Sequence, residues 1–138
     1  MATAARGGCM CGTVRYECTA DPIYMFTCHC RDCQRASGGA YAAVIAVPLS
    51  AVKITGELKF YAATSDSGNR LERGFCPNCG SLLFGKPSAA PDRIVILAAS
   101  LDDPSIFKPA MDIYTSSAQP WDYMNPALQK FPKMPLRA

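Results

Sequence analysis

The sequence predicts one mainly-β domain over residues 1–138. Its length is close to that of a single domain, and its 49% hydrophobic residues suffice for one core. No stretch keeps helical periodicity over three turns, whereas short apolar runs recur along the chain. Eleven prolines and ten glycines punctuate the sequence at intervals that are typical of strands and turns.

Short apolar or alternating segments carry the strand predictions. Residues 12–18 alternate between apolar and charged side chains from Val14 to Glu17, as expected for a half-buried strand. The other predicted strands are 23–27, 41–47, 52–55, 58–61, 71–75, 81–84, 94–98 and 113–115. Segments 52–55 and 58–61 flank Gly56, and this spacing predicts a hairpin.

Two segments depart from the strand pattern. Residues 31–36 have room for one or two helical turns. Residues 116–138 are rich in proline and are predicted to wrap the surface in extended form. The side chains expected to hold this segment are Trp121, Tyr123 and Phe131.

Seven of the eight cysteines fall into three clusters, and this spacing predicts bound metal. The clusters are Cys9 and Cys11, then Cys28, Cys30 and Cys33, then Cys76 and Cys79. Zinc prefers four soft ligands in a tetrahedron. A disulfide framework is the less favoured alternative, because a C-x-C pair would close a strained ring and a reducing compartment keeps thiols free. Cys18 stands alone and is predicted to be a small buried residue.

The first and third clusters are predicted to share a structural zinc ion. Residues 76–80 (CPNCG) are typical of a zinc knuckle, which supplies two ligands. Cys9 and Cys11 can add two more to Cys76 and Cys79, and a metal that joins distant segments closes a long loop. In the alternative pairing, the knuckle uses two central cysteines and leaves Cys9 and Cys11 idle.

The central cluster is predicted to hold a second zinc ion with an open position. Cys28, Cys30 and Cys33 can face one ion, which leaves the fourth corner free, as in catalytic zinc sites. An alternative makes His29 the fourth ligand and closes the site. An incoming thiol bound at a free corner would be deprotonated, and the thiolate is the nucleophilic form. The sequence therefore predicts thiol chemistry here.

Residues close to the central cluster are candidates for binding an anionic thiol. Arg31 and Arg35 can pair with carboxylates, and Gly38 and Gly39 can offer backbone N–H groups. The alternative for both arginines is a solvated surface. His29 is the only histidine and a candidate catalytic proton carrier. The alternative is a hydrogen-bonded structural histidine.

Charge and hydropathy restrict the partners. The formal net charge is +3, but seven bound thiolates and two zinc ions would bring it close to zero, and the basic residues form no run. We therefore expect no nucleic-acid partner. No apolar run approaches the roughly 20 residues of a membrane helix, and residues 1–8 lack the apolar core of a signal peptide. We expect a cytoplasmic protein without a membrane partner, and the sequence is compatible with an oligomer.

Three motifs together resemble the glutathione-dependent formaldehyde-activating family, which also includes centromere protein V. They are residues 8–16 (GCMCGTVRY), 28–38 (CHCRDCQRASG) and 75–81 (FCPNCGS). The similarity continues at 101–105 (LDDPS) and at Pro120-Trp121. The resemblance implies a zinc-stabilised β-tent of small antiparallel sheets, with a four-cysteine zinc and a three-cysteine zinc. Asp112 stands where many members have histidine, which bears on a substrate contact.

The resemblance also implies an activity. It implies S-hydroxymethylglutathione synthesis, a carbon–sulfur lyase reaction in which the glutathione thiol adds to formaldehyde. Two alternatives remain: a non-catalytic, zinc-stabilised binding module, and a redox sensor whose central cluster releases zinc on oxidation. The expected partners of the enzyme are a small thiol such as glutathione and a small aldehyde.

Overall fold

A computed structural model describes residues 4–135, which form eleven strands and one α-helix. The strands are β1 (Ala5–Gly8), β2 (Arg15–Cys18), β3 (Tyr24–Cys28), β4 (Ala42–Pro48), β5 (Val52–Thr55), β6 (Lys59–Thr64), β7 (Arg70–Phe75), β8 (Leu82–Pro87), β9 (Arg93–Leu97), β10 (Met111–Ile113) and β11 (Gln129–Lys130). The helix, α1, spans Arg31–Ser37. The strand at Ala5–Gly8 was not predicted, because its small residues carry no apolar alternation.

The strands form two sheets. The small sheet has the order β1-β2-β5, and the large sheet has the order β11-β10-β3-β4-β9-β8-β7-β6. Pairing is antiparallel except at one edge, where β10 runs parallel to β3 and to β11. The predicted mainly-β fold class is therefore confirmed. One domain over 1–138 stays a prediction, since the terminal residues lie outside the described range.

The main core lies where the small sheet packs on the large one. Tyr16 of β2 meets Phe84 of β8 edge to face, with ring centroids 5.1 Å apart. The Tyr16 hydroxyl lies 2.6 Å from Ser100 Oγ, which satisfies its buried polar end. Gly7 is required here, because a Cβ at this position would lie 2.2 Å from the Tyr16 oxygen. The core thus fixes the end of β1, from which the first cysteine pair follows.

The opposite face of the large sheet carries a second, smaller cluster. Ala42, Val44 and Leu97 are buried there, and Phe26 and Cys33 pack against them. Cys33 belongs to α1, so this contact seats the helix on the sheet. The three-cysteine cluster therefore lies at one end of this face.

The predicted hairpin of residues 52–55 and 58–61 is wrong. Both segments are strands, but β5 pairs with β2 in the small sheet, whereas β6 pairs with β7 in the large one. Gly56 lies between them with φ +102°, and a Cβ there would lie 2.2 Å from the Thr13 carbonyl oxygen. The glycine permits a close backbone crossing between the sheets instead of a tight turn.

Helix α1 matches the predicted helical turns at 31–36. Cys30 is its N-cap, and the Cys33 backbone N–H donates to Cys30 Sγ at 3.3 Å. Gly38 ends the helix in the left-handed conformation at φ 76°, with its N–H donating to Gln34 O. The helix is short because it is capped at both ends within seven residues.

The segment after β10 lies along the edge of the large sheet, and the structure describes it as far as residue 135. The Phe131 N–H donates to Asp112 O, and β11 pairs with β10. Trp121 and Tyr123, which were expected to hold the segment, are 67% and 100% exposed. Asp122 lies between them in sequence, and its side chain is buried instead. Polar contacts rather than the rings of Trp121 and Tyr123 therefore anchor this segment, whereas Phe131 is partly buried as expected.

Within residues 4–135, none of the helices has the length and apolar character needed to cross a membrane.

Candidate metal sites

The first candidate site gathers four cysteines from two loops. Cys9 and Cys11 follow β1, and Cys76 and Cys79 lie in the turn between β7 and β8. All four Sγ atoms lie within 4.8 Å of one another, so this group could hold a metal ion. The structure therefore brings together the four residues that the sequence grouped around a structural zinc.

The surroundings of two of these sulfurs, those of Cys9 and Cys79, favour the thiolate. The Val14 N–H donates to Cys9 Sγ at 3.3 Å. Burial raises the pKa of Cys9, but the Val14 N–H and the neighbouring side-chain contacts outweigh it and lower this pKa to about 7. The Ser81 hydroxyl and backbone contacts lower the pKa of Cys79 to about 5. Cys9 and Cys79 thus favour the thiolate form in which cysteine binds a tetrahedral zinc ion.

The two loops are joined almost entirely through sulfur. Met10 N–H donates to Ser81 Oγ at 3.0 Å. The other hydrogen bonds between residues 9–13 and 76–81, in the part of the chain that the structure describes, all involve a cysteine Sγ. Among the polar contacts, the sulfurs therefore provide nearly all of the link between the two loops.

The second candidate site gathers three cysteines from one short segment. Cys28 ends β3, Cys30 caps α1, and Cys33 lies within the helix. Their sulfurs lie within 4.8 Å of one another. The Cys28 and Cys33 thiols hydrogen-bond Cys30 and lower its pKa, whereas the contacts with Cys30 and Cys33 raise the pKa of Cys28. Three sulfurs leave one corner of a tetrahedron free.

His29 lies between two of these cysteines but points away from the cluster. Its ring is 1% exposed. Nδ1 donates to Asp122 Oδ2 at 2.5 Å, and Nε2 lies 3.0 Å from Asp112 Oδ1 and 3.2 Å from Thr27 Oγ1. Both ring nitrogens are engaged by protein oxygens, so the ring ties β3, β10 and the C-terminal segment together.

Asp112 belongs to this buried network. The Thr27 hydroxyl donates to Asp112 Oδ1, and Lys130 Nζ lies 2.7 Å from Oδ2. Burial raises the pKa of Asp112, but contacts with Lys130, Thr27 and His29 outweigh it and hold this pKa below its ordinary value. The side chain is 4% exposed. The carboxylate at this position therefore faces the network behind the cluster.

The predicted substrate contacts near α1 have other partners in the structure. Arg31 Nη1 donates to Gln34 Oε1, and Arg35 is exposed in the last helical turn. Gly38 N–H donates to Gln34 O, and Gly39 N–H lies 3.3 Å from Ser37 Oγ. The roles of Arg31, Arg35, Gly38 and Gly39 in binding substrate stay predictions.

Arg73 is a residue near the second site that sequence reasoning missed. It lies on β7, and its Nη2 donates to Cys33 Sγ at 3.8 Å. Forty residues separate the two positions, and only the strand order of the large sheet brings them together. No spacing in the sequence signals this contact.

Two comparisons with known proteins agree with this fold and these clusters. The sequence model of the glutathione-dependent formaldehyde-activating enzyme family matches residues 4–117. A Rhodobacter sphaeroides protein of known crystal structure is similar in fold, with a TM-score of 0.58 and 18% sequence identity. That alignment covers 91% of this chain and 98% of the other. At this identity the likeness concerns the fold alone.

Proposed function

The chain belongs to the glutathione-dependent formaldehyde-activating enzyme family, and from this premise we propose that it is a zinc-dependent enzyme of the carbon–sulfur lyase class. It activates a small thiol such as glutathione for addition to, or release from, a small aldehyde such as formaldehyde. One observation carries the proposal. Cys28, Cys30 and Cys33 could hold a metal with three ligands only, which leaves a position for a guest sulfur.

Two zinc ions are part of the proposal. Cys9, Cys11, Cys76 and Cys79 would hold the structural ion, and Cys28, Cys30 and Cys33 the open one. The exclusively sulfur donor sets favour zinc over hard cations, which prefer oxygen. A zinc ion at the second site would supply one coordination position at which a thiol loses its proton readily. Eight free thiols agree with a reducing compartment, so we also propose a cytoplasmic location.

The chain's own residues position this chemistry. In the addition, the thiol gives up its proton, its sulfur forms a bond to the carbonyl carbon, and the carbonyl oxygen takes up a proton. The Cys33 N–H donates to Cys30 Sγ and fixes that ligand at the helix end. His29 is buried, which supports a role in holding the loop between Cys28 and Cys30 rather than in touching the aldehyde.

Exchange spectroscopy tests the activity. Glutathione and ¹³C-formaldehyde form the adduct spontaneously, so the exchange rate is measured by NMR with the zinc-loaded protein, without protein and with zinc-loaded Cys30→Ala. We expect faster exchange with the wild type alone. Equal rates in all three samples would refute catalysis. Metal counting on the same samples shows whether the second ion was present.

The burial of His29 also favours a second candidate, a zinc-stabilised binding module. The chain's only imidazole has both nitrogens engaged and is closed off from solvent. Such a module need not bind glutathione at millimolar concentration. Calorimetry with glutathione therefore separates the two: the enzyme requires a binding signal that Cys30→Ala abolishes, and the module requires none.

A further inference from the structure

The guanidinium of Arg73 lies beside the three-cysteine cluster with donors to spare. Its Nη2 is 3.8 Å from Cys33 Sγ. Among residues 4–135, no carboxylate oxygen lies within 4.0 Å of Arg73. A guanidinium has five N–H donors in a planar fork, and the contact with Cys33 engages one end of it. The remaining donors are available to an anion beside the cluster.

The neighbours of Arg73 across the sheet leave its guanidinium accessible to such an anion from the Tyr61 side. Arg73 pairs with Tyr61 of β6 on one side and with Gly85 of β8 on the other. Directly paired residues share a face, so Tyr61, Arg73 and Gly85 form a row that continues to Val95. The side chains of Val95 and Leu71 pack over Gly85 on one side of Arg73, whereas Tyr61 on the other side is 68% exposed. The half-buried fork is therefore bordered by apolar side chains on the Gly85 side and by an exposed ring on the Tyr61 side.

We propose that Arg73 makes the second site selective for thiols that carry a carboxylate. The guanidinium binds the carboxylate while the thiol sulfur occupies the free position of the cluster formed by Cys28, Cys30 and Cys33. This inference rests on the proposed function and names its substrate class, a small anionic thiol. Arginine suits the role because its fork matches a carboxylate in two parallel hydrogen bonds.

The two arginines closest in sequence to the cluster are placed differently. Arg31 donates to Gln34, and Arg35 lies exposed in the last turn of α1. Within the described part of the chain, Arg73 is the arginine that contacts a cluster sulfur. The geometry therefore assigns the specificity contact to β7 rather than to the helix.

A matched pair of thiols tests the inference by calorimetry on the zinc-loaded protein. 3-Mercaptopropionate carries the carboxylate, and 3-mercaptopropionamide has nearly the same shape without the charge. We expect the wild type to prefer the carboxylate roughly ten- to hundredfold, the range of a charge-assisted contact. Arg73→Gln should remove this preference because it weakens the binding of the carboxylate thiol alone. Arg73→Lys keeps the charge without the fork and retains part of the preference.

Arg70→Gln is the matched control. Arg70 lies on the same strand three residues away, on the opposite face, and its loss removes the same charge. The preference of Arg70→Gln for the carboxylate thiol should equal that of the wild type. If Arg73→Gln weakens the binding of both thiols equally, Arg73 serves only to balance the charge of the cluster. That result would overturn the inference.

The remaining outcomes separate the two proposals. If neither thiol binds the zinc-loaded wild type, the proposed function fails. If both bind the wild type equally well, the function stands and the selectivity of Arg73 fails. Metal counting accompanies each titration. Should Arg73→Gln lose its metal, the wild-type preference and its reduction in Arg73→Lys decide the matter.

Discussion

The two cysteine clusters differ in what holds their ligands together. Sixty-five residues separate Cys11 from Cys76 in the first cluster, whereas the second cluster lies wholly within residues 28–33. A metal in the first would close a long loop, and one in the second would close almost none. The second cluster is instead backed by the buried contacts of His29. A metal ion in the first cluster would therefore contribute far more to folding than one in the second.

Cys76→Ala should have the largest effect on stability. Loss of one ligand forfeits much of a binding free energy of about 10 kcal/mol or more, comparable with the total stability of a domain. We therefore expect an unfolded or aggregated protein by circular dichroism and size-exclusion chromatography. Cys18→Ala is the control, because Cys18 is buried outside both clusters. A folded Cys76→Ala protein with the melting temperature of the wild type would contradict the proposed structural role of the first cluster.

His29→Ala should have the next largest effect. It leaves the buried carboxylates of Asp112 and Asp122 without their shared partner, and removing one member of such a pair costs about 3–5 kcal/mol. Denaturant unfolding of the metal-loaded protein measures this loss. Adding Asp122→Asn to His29→Ala should recover part of it, because one uncompensated charge disappears. No recovery would mean that packing, not charge, makes His29 important.

Cys30→Ala should distinguish the roles of the two clusters most directly. The second metal is lost, while stability falls by about 1–2 kcal/mol because the N-cap of α1 also disappears. We expect one metal ion per chain instead of two and a melting temperature lower by a few degrees, roughly as this loss implies. Unfolding as severe as that of Cys76→Ala would show that both clusters are structural.

The sequence was sufficient for the grouping of the cysteines at both sites. The spacing of residues 28–33 places three sulfurs within reach of one point, and the alternation at 12–18 follows from a half-buried strand. Features that depend on the pairing of distant strands were missed. The contact of Arg73 with Cys33 depends on the strand order of the large sheet. The placement of β5 and β6 in different sheets depends on the chain crossing between the sheets at Gly56. Periodicity identifies a strand but does not specify its partner.

The smallest predicted effect concerns the anchor of the C-terminal segment behind the second cluster. Lys130 Nζ lies 2.7 Å from Asp112 Oδ2, an oxygen without a well-aligned hydrogen bond from the residues that the structure describes. Lys130→Gln should lower stability by about 0.5–1 kcal/mol, since Lys130 is partly exposed and His29 and Thr27 still contact Asp112. Lys133→Gln, which removes an exposed pair with Asp66, should lower it less.

The pH dependence of the stability lost in Lys130→Gln tests how the region behind the second cluster is held together. Because the folded pKa of Asp112 lies below its ordinary value, its stabilisation is present above about pH 4 and is lost only as pH falls through that lower pKa. The difference between wild type and Lys130→Gln should therefore be constant from pH 8 to about pH 5.5, measured by denaturant unfolding of metal-loaded protein. A deficit that shrinks within this range would show that burial outweighs the ion pair and keeps Asp112 partly protonated. The region behind the second cluster would then be held by neutral hydrogen bonds rather than by an ion pair.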